Sequence, residues 1–381
     1  MTEAASSNAT NLPHELRGPI RLGDNRVFRP YRGGRLLAQF VGGAQVEDGF
    51  YPEDWVASDT AAVGSGGPSG PGISLLSIGG EETSFAELLR LYGDDILGPE
   101  HVARFGRRTG LLVKLLDSAE RLQIQSHPSA EFVRQHLRGE FGKAESWLIL
   151  ETREIAGQRP YVFFGWKESV DPAEFAEAIR SQDIAFMESR LHRFEVQPGQ
   201  LFHVPPAMPH AIGPGCFLIE VQEPSDWVFL PEFPQLPTQT GEKLTLPLEF
   251  CCLQGLPLET AIQSMRLGGI SRDEIIADFW TGQAFSSAPG LRTLLSTPEF
   301  RIDEIVRKGP EPPTVEERSF AVAIGERGEI TIEGEGFAPM VCRRGDRLLI
   351  PWFAGVLRVA GEGRLIVARP SAGSRRKGQG S

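Results

Sequence analysis

Residues 194–204 read Phe-Glu-Val-Gln-Pro-Gly-Gln-Leu-Phe-His-Val, and Pro205 follows. Apolar residues alternate with polar ones on both sides of Pro198-Gly199, which predicts two strands joined by a Pro-Gly turn. The corner has the form Pro198-Gly199, four residues, then Val204-Pro205. A second corner of the same kind runs from Arg344-Gly345-Asp346 through three residues to Ile350-Pro351. Each is the corner of a small jelly-roll barrel, a double-sheet all-β architecture. The sequence therefore predicts a mainly β chain with two jelly-roll barrels and a few intervening helices.

Other strands are predicted around these corners. Gly110–Leu116 reads as a buried strand with one embedded lysine, and Ser146–Leu150 and Tyr161–Gly165 as further strands. Cys216–Glu223 alternates at the strand period. Near the C-terminus, Phe320–Gly325, Gly328–Glu333 and Arg347–Pro351 repeat the pattern. Helical periodicity appears at Ser84–Tyr92, Pro172–Arg180, Pro257–Met265 and Ser271–Phe279. Pro172 and Pro257 stand where a first turn tolerates proline. Ser84 and Ser271 are expected N-caps, with Glu274 completing a capping box. The expected divisions are a loose N-terminus over 1–17, a metal-binding domain over 18–255, a helical segment over 256–290, a second barrel over 291–370 and a disordered tail over 371–381. Gly64–Gly72 is expected to be a surface loop.

With 381 residues, 40% of them apolar, the chain can build more than one core. A net charge of -11 argues against a nucleic-acid partner, which needs a basic surface, yet leaves room for an anionic small substrate in a local cationic pocket. Cys216, Cys251, Cys252 and Cys342 form no metal or disulfide spacing and read as reduced, buried thiols of a cytoplasmic protein. The first residues hold no apolar signal region, and no apolar run is long enough to span a membrane.

The chemistry is concentrated in Gln123-Ile124-Gln125-Ser126-His127-Pro128, with Glu145 and His210 further on. Gln125 and His127 are two apart, so on a strand they share a face, and Pro128 ends that strand at a rim. Glu145 precedes a predicted strand and His210 follows the Val204-Pro205-Pro206 turn. Two imidazoles, a carboxylate and an amide oxygen make a ligand set for a divalent metal with positions left open. His14, His101, His136 and His192 carry no such pattern. His203 lies in the register opposite to Phe202 and Val204, where it can line a pocket. Lys114, inside an apolar strand, is expected to have a lowered pKa and to serve as a base.

Leu111–Pro128, Gly142–Trp147 (GKAESW) and Phe202–Asp226 together resemble the type I mannose-6-phosphate isomerases, which are cupin proteins. More loosely, Arg29–Ser58 resembles that family's W-G-G-x-x-L … G-E-x-W-x-x-S opening. The resemblance implies two cupin barrels and one zinc, or another divalent metal, held by Gln125, His127, Glu145 and His210. It implies isomerisation of mannose 6-phosphate and fructose 6-phosphate with a small-molecule sugar phosphate as the partner. Lys114 and Glu220 become the acid–base candidates, with neither ranked first, and Lys143 a binding residue for a sugar oxygen or phosphate. The chain departs from the family after Ser225-Asp226, where Leu230 stands at the place of an arginine; Trp227 offers an apolar face for a sugar ring instead. That departure leaves two alternatives: a related free or phosphorylated sugar as substrate, or a non-catalytic sugar-binding metallo-cupin. Residues 297–370 contain no histidine and so predict no second metal site. Nothing in the sequence fixes an oligomeric state.

Overall fold

The structure, a computed structural model, is described over residues 12–44, 47–62, 70–237, 243–253, 255–316 and 318–371. The expectations for 1–11, for most of the Gly64–Gly72 loop and for the tail beyond Ser371 lie outside those residues. The described structure is mainly β, 36% strand against 22% helix. Among the described residues no helix is long and apolar enough to cross a membrane.

Two compact units form, and their boundaries correct the expected linear division. One comprises the described parts of Met1–Asn25, Trp55–Val113 and Ser286–Ser381; the other comprises Arg26–Asp54 and Lys114–Phe285. Backbone pairing gives the reason: the strand Ile20–Arg21 lies antiparallel to Arg347–Ile350, with Ile20 opposite Leu349. An N-terminal segment thus serves as a strand of the C-terminal sheet. Residues 12–17 are also not loose, because the 3-10 turn His14–Arg17 buries Leu16, and Leu12 is buried just before it.

In the first unit, the sheet order is Ile20–Arg21, Arg347–Ile350, Ala321–Glu333, Leu357–Pro370, Phe300–Glu316 and Gly290–Ser296, with Met340–Arg343 beside Ala321–Glu333. Ile305, Ala323, Ile332, Leu348 and Val367 share one core. The expected corner is present. Arg343 N–H donates to Asp346 Oδ2 at 2.7 Å, and Gly345 adopts φ 86° between them. That conformation favours glycine, so the Arg-Gly-Asp run is a turn. Helix Phe85–Leu97 begins at Ser84, whose hydroxyl accepts from Glu87 N–H.

In the second unit, a seven-stranded sheet runs in the order Trp280–Thr281, Leu201–Val204, Glu145–Thr152, Cys216–Gln222, Leu112–Asp117, Glu53–Val56 and Arg26–Val27. A smaller sheet is formed by His210–Ile212, Tyr161–Trp166 and Leu191–Glu195. Trp147, Ile149, Phe202 and Leu218 from the first pack with Val162, Phe164, Phe194 and Ile212 from the second. The Pro198-Gly199 corner therefore does not close a hairpin. Leu191–Glu195 pairs with Tyr161–Trp166, whereas Leu201–Val204 pairs with Glu145–Thr152, so the turn carries the chain from one sheet to the other.

Cys216–Gln222 is buried throughout instead of alternating. Its inner face meets this core, and its outer face is covered: Phe217 packs on Phe40 of helix Arg35–Phe40, ring centroids 5.2 Å apart. A strand buried on both faces shows no polar alternation. The helices Pro172–Ser181 and Arg272–Asp278 form as expected, the second with the Ser271–Glu274 capping box. Pro257 is the N-cap of Leu258–Ile262, one position earlier than a first-turn proline.

Asp117 seats the covering helix. Its Oδ2 accepts from Gly34 N–H at 3.0 Å and Leu36 N–H at 2.6 Å. A Cβ on Gly33 would fall 1.8 Å from the Asp117 carbonyl oxygen, so only glycine fits that contact. Burial pushes the Asp117 carboxyl up to about 6, against the opposing effects of Arg153 and the N–H groups. Asp117→Ala should lower unfolding free energy by about 2 kcal/mol, seen as a lower urea midpoint at unchanged slope. A carboxyl raised in the folded state binds its proton more tightly there. Its contribution is therefore greatest at pH values below the unfolded value and is lost as pH rises towards 6. The urea midpoint of Asp117→Asn should lack that fall between roughly pH 4 and 6.

Candidate metal centre and substrate pocket

The inner face of the large sheet changes character along its length. Ile149 and Leu218 are opposite one another at the apolar end, Trp147 and Glu220 come next, and Glu145 and Gln222 lie at the polar end. On the other side of Glu145–Thr152, Phe202 lies opposite Trp147 and Val204 opposite Glu145. The smaller sheet supplies His210, opposite Phe164. His210 and Gln125 exchange backbone hydrogen bonds at 2.9 and 3.0 Å. This bridge and that of Ser126 to Phe229 hold the 125–126 segment without a regular strand.

Gly142 makes the approach of the next segment possible. A Cβ there would lie 2.5 Å from Ala130 N and 2.8 Å from the Pro128 carbonyl oxygen, while Lys143 N–H donates to that carbonyl at 3.1 Å. Glu223 Oε2 accepts from Ala144 N–H and Ser225 Oγ donates to the Gly142 carbonyl, so two side chains pin the start of the strand.

The result is a buried triad of His127, Glu145 and His210 whose ligand atoms all lie within 4.8 Å of one another. Glu145 Oε2 is 3.3 Å from His127 Nε2, and Oε1 is 3.2 Å from His210 Nε2. Each imidazole is oriented from behind: His127 Nδ1 faces the Trp227 carbonyl at 2.9 Å, and His210 Nδ1 faces that of Met208 at 2.8 Å. An Nδ1–H donated to a carbonyl leaves Nε2 with its lone pair, the arrangement of a metal-ligating histidine. Burial and then the Lys143 charge lower the His127 pKa to about 3, so its ring is neutral at pH 7. Burial opposes ionisation of Glu145, but Lys143 and His127 outweigh it and hold the carboxyl well below its ordinary range. His210 Nε2 and Glu145 Oε2 have no hydrogen-bond partner although buried. Buried polar atoms without partners, set in a neutral-imidazole and carboxylate donor set, fit a divalent cation.

Lys143 shares this space. Its Nζ lies 3.1 Å from His127 Nε2 and 3.4 Å from Glu145 Oε2. Trp227 is half-buried, with its ring against the apolar cluster of Phe132, Val170 and Phe229 and its carbonyl on His127. His203 is opposite Ser146, in the register away from Glu145, and does not join the triad. Leu230 is buried, its N–H donating to the Cys251 carbonyl.

Lys114 corrects the expectation of a neutral amine. Its Nζ lies 2.9 Å from Glu220 Oε1 and 3.8 Å from Glu53 Oε2. Burial alone would lower its pKa, but Glu220 and Glu53 raise it above the ordinary value. It is a held ammonium, because desolvation favours a neutral lysine only where no carboxylate shares the site. Glu220 is raised, chiefly by burial and further by the nearby charges of Glu145 and Glu53, with Lys114 and Lys143 opposing.

Four residues with no expected role complete this network. Glu53 Oε1 accepts from Tyr31 Oη at 2.7 Å, and Arg29 Nε lies 3.0 Å from Glu53 Oε2. Arg29 also lies 3.6 Å from Asp226. The signal for Glu53 was in the sequence, at the acid of the G-E-x-W-like opening; Arg29, Tyr31 and Asp226 join it only through the fold.

No protein-family model matches the chain. A curated relative, the probable mannose-6-phosphate isomerase GmuF of Bacillus subtilis, is 31% identical over 41% of this chain and 48% of its own, so the match spans about half of that relative. The mannose-6-phosphate isomerase ManA of the same organism is 26% identical over 69% of this chain and 76% of its own. The crystal structure of the mannose 6-phosphate isomerase from Bacillus subtilis superposes with TM-score 0.69 at 21% identity, covering 92% of this chain and 99% of that one. A mannose 6-phosphate isomerase bound with zinc and yttrium superposes with TM-score 0.65 at 15% identity, covering 92% and 99%. In fold, motif order and sequence, the chain is similar to the mannose-6-phosphate isomerases.

Proposed function

We propose that the chain is a metal-dependent aldose–ketose isomerase that interconverts mannose 6-phosphate and fructose 6-phosphate in the cytoplasm. The observation that carries this reading is the triad with both Nε2 atoms turned onto Glu145. His127, Glu145 and His210, joined by Gln125 from the bridged segment, would hold one zinc or similar ion. Bound there, the ion would supply Lewis-acid stabilisation of negative charge that develops on sugar oxygens. The relatives act on mannose 6-phosphate by name, which supports a phosphorylated aldose as substrate.

Isomerisation moves a proton between C1 and C2. Glu220 is the residue assigned to that transfer: it is buried beside the triad, and its raised proton affinity brings it nearer to working pH. Lys114, held as an ammonium, donates a hydrogen bond to Glu220 and keeps it oriented. Lys143 provides a second cation for a sugar oxygen or the phosphate, and Trp227 an apolar surface for the ring. Leu230 leaves the pocket without a guanidinium at that position, the one feature that favours the second reading, a related free or phosphorylated sugar.

The direct test is a coupled assay of zinc-loaded protein on mannose 6-phosphate, mannose and other hexose phosphates. No turnover of any aldose by fully loaded protein would refute the isomerase reading. His127→Ala should lose both stoichiometric zinc and turnover; metal retained at wild-type stoichiometry would remove the proposed site. Lys143→Met should bind zinc at least as tightly as wild type, because the ammonium competes for His127 Nε2 and Glu145 Oε2, while kcat/KM for mannose 6-phosphate falls about 100-fold, on the scale of one lost charge-assisted contact. Equilibrium dialysis and initial rates read the two effects separately. Leu230→Arg should raise phosphosugar turnover relative to free mannose, and an unchanged ratio would place Leu230 away from the phosphate.

A further inference from the structure

Glu53 lies at the centre of a buried arrangement that the isomerisation chemistry leaves unexplained. Its two oxygens are occupied differently: Oε1 accepts the Tyr31 hydroxyl at 2.7 Å, and Oε2 lies 3.0 Å from Arg29 Nε. Arg29 is itself held, because its Nη2 lies 3.6 Å from Asp226. Lys114 stands between two buried carboxylates and is not shared equally. It is 2.9 Å from Glu220 and 3.8 Å from Glu53.

An ammonium between two buried carboxylates moves towards the one whose charge is less satisfied, since unpaired buried charge is costly. A guanidinium and a phenol hydroxyl on Glu53 satisfy it, so the lysine goes to Glu220. We propose that Arg29 and Tyr31 form a clamp on Glu53 that assigns the Lys114 ammonium to Glu220, which makes Arg29 a positioning residue for the proton-transfer pair. This inference rests on the isomerase reading for its catalytic consequence but not for its structural one. Arg29 acts through Glu53 and Lys114. The fork geometry lets it face Glu53 and Asp226 together, which a lysine's single ammonium does less well.

Arg29→Met, Arg29→Lys and Tyr31→Phe test the clamp. In Arg29→Met, kcat on mannose 6-phosphate is expected to fall at least 10-fold, with KM within about 2-fold and zinc stoichiometry unchanged, the signature of lost transition-state positioning. Arg29→Lys, which keeps the charge but not the fork, should recover only part of that loss, and Tyr31→Phe, which removes one oxygen, should lower kcat a few-fold. A crystal structure of Arg29→Met should place Lys114 Nζ closer to Glu53 than to Glu220. A raised KM with unchanged kcat would overturn the proposal and make Arg29 a substrate anchor. Lys114 remaining on Glu220 in Arg29→Met would also overturn it. If the wild-type protein turns over no aldose, the isomerase reading fails alone, and the position of Lys114 in Arg29→Met or Tyr31→Phe crystals still decides the clamp.

Discussion

A carboxylate buried to 2% exposure must be compensated, and the compensation of Glu145 organises the site around it. Glu145 begins one strand of the large sheet, yet its partners come from elsewhere. His210 comes from the small sheet, His127 from the bridged segment and Lys143 from the turn before the strand. Each partner is fixed by backbone contacts of its own: the Gln125–His210 bridge, the Pro128 carbonyl against Gly142, and the Trp227 and Met208 carbonyls behind the two imidazoles. The triad therefore depends on both sheets and on glycine at 142, and no single element could hold it.

The same principle extends along the inner face. Among the described residues of this network, the carboxylates Glu53, Glu145, Glu220 and Asp226 outnumber the cations Arg29, Lys114 and Lys143. A divalent cation at the triad would reverse that balance. Burial, with the charges of Glu145 and Glu53 added, outweighs Lys114 and Lys143 and raises the proton affinity of Glu220, whereas Lys114 meets enough carboxylate to stay charged. The environment thus favours the charged form of Lys114 and raises the proton affinity of Glu220, a difference that their residue types alone did not rank.

Much of this was legible in the sequence, because the signals were local. The Pro-Gly and Arg-Gly-Asp corners, the Ser84 and Ser271 caps, and the Gln125–His127 spacing each depend on residues near one another in the chain, whereas Glu145 and His210 were marked by the order of the motifs. What was not legible depends on pairing across the fold. Whether Pro198-Gly199 closes a hairpin or changes sheets is decided by Glu145–Thr152 and Tyr161–Trp166, more than thirty residues earlier. The burial of both faces of Cys216–Gln222 depends on Phe40, and the charge of Lys114 on Glu53 and Glu220. Membership of Ile20–Arg21 in the C-terminal sheet has no local signal at all.

The central claim is that His127, Glu145 and His210 hold a catalytic divalent metal. Anomalous diffraction at the zinc edge from crystals grown with equimolar zinc tests it most directly. The account predicts one dominant peak about 2.0–2.2 Å from the Nε2 atoms of His127 and His210 and from the Glu145 carboxylate, with Lys143 displaced from His127. A zinc-bound crystal with no peak there, and with Lys143 still between His127 and Glu145, would contradict it.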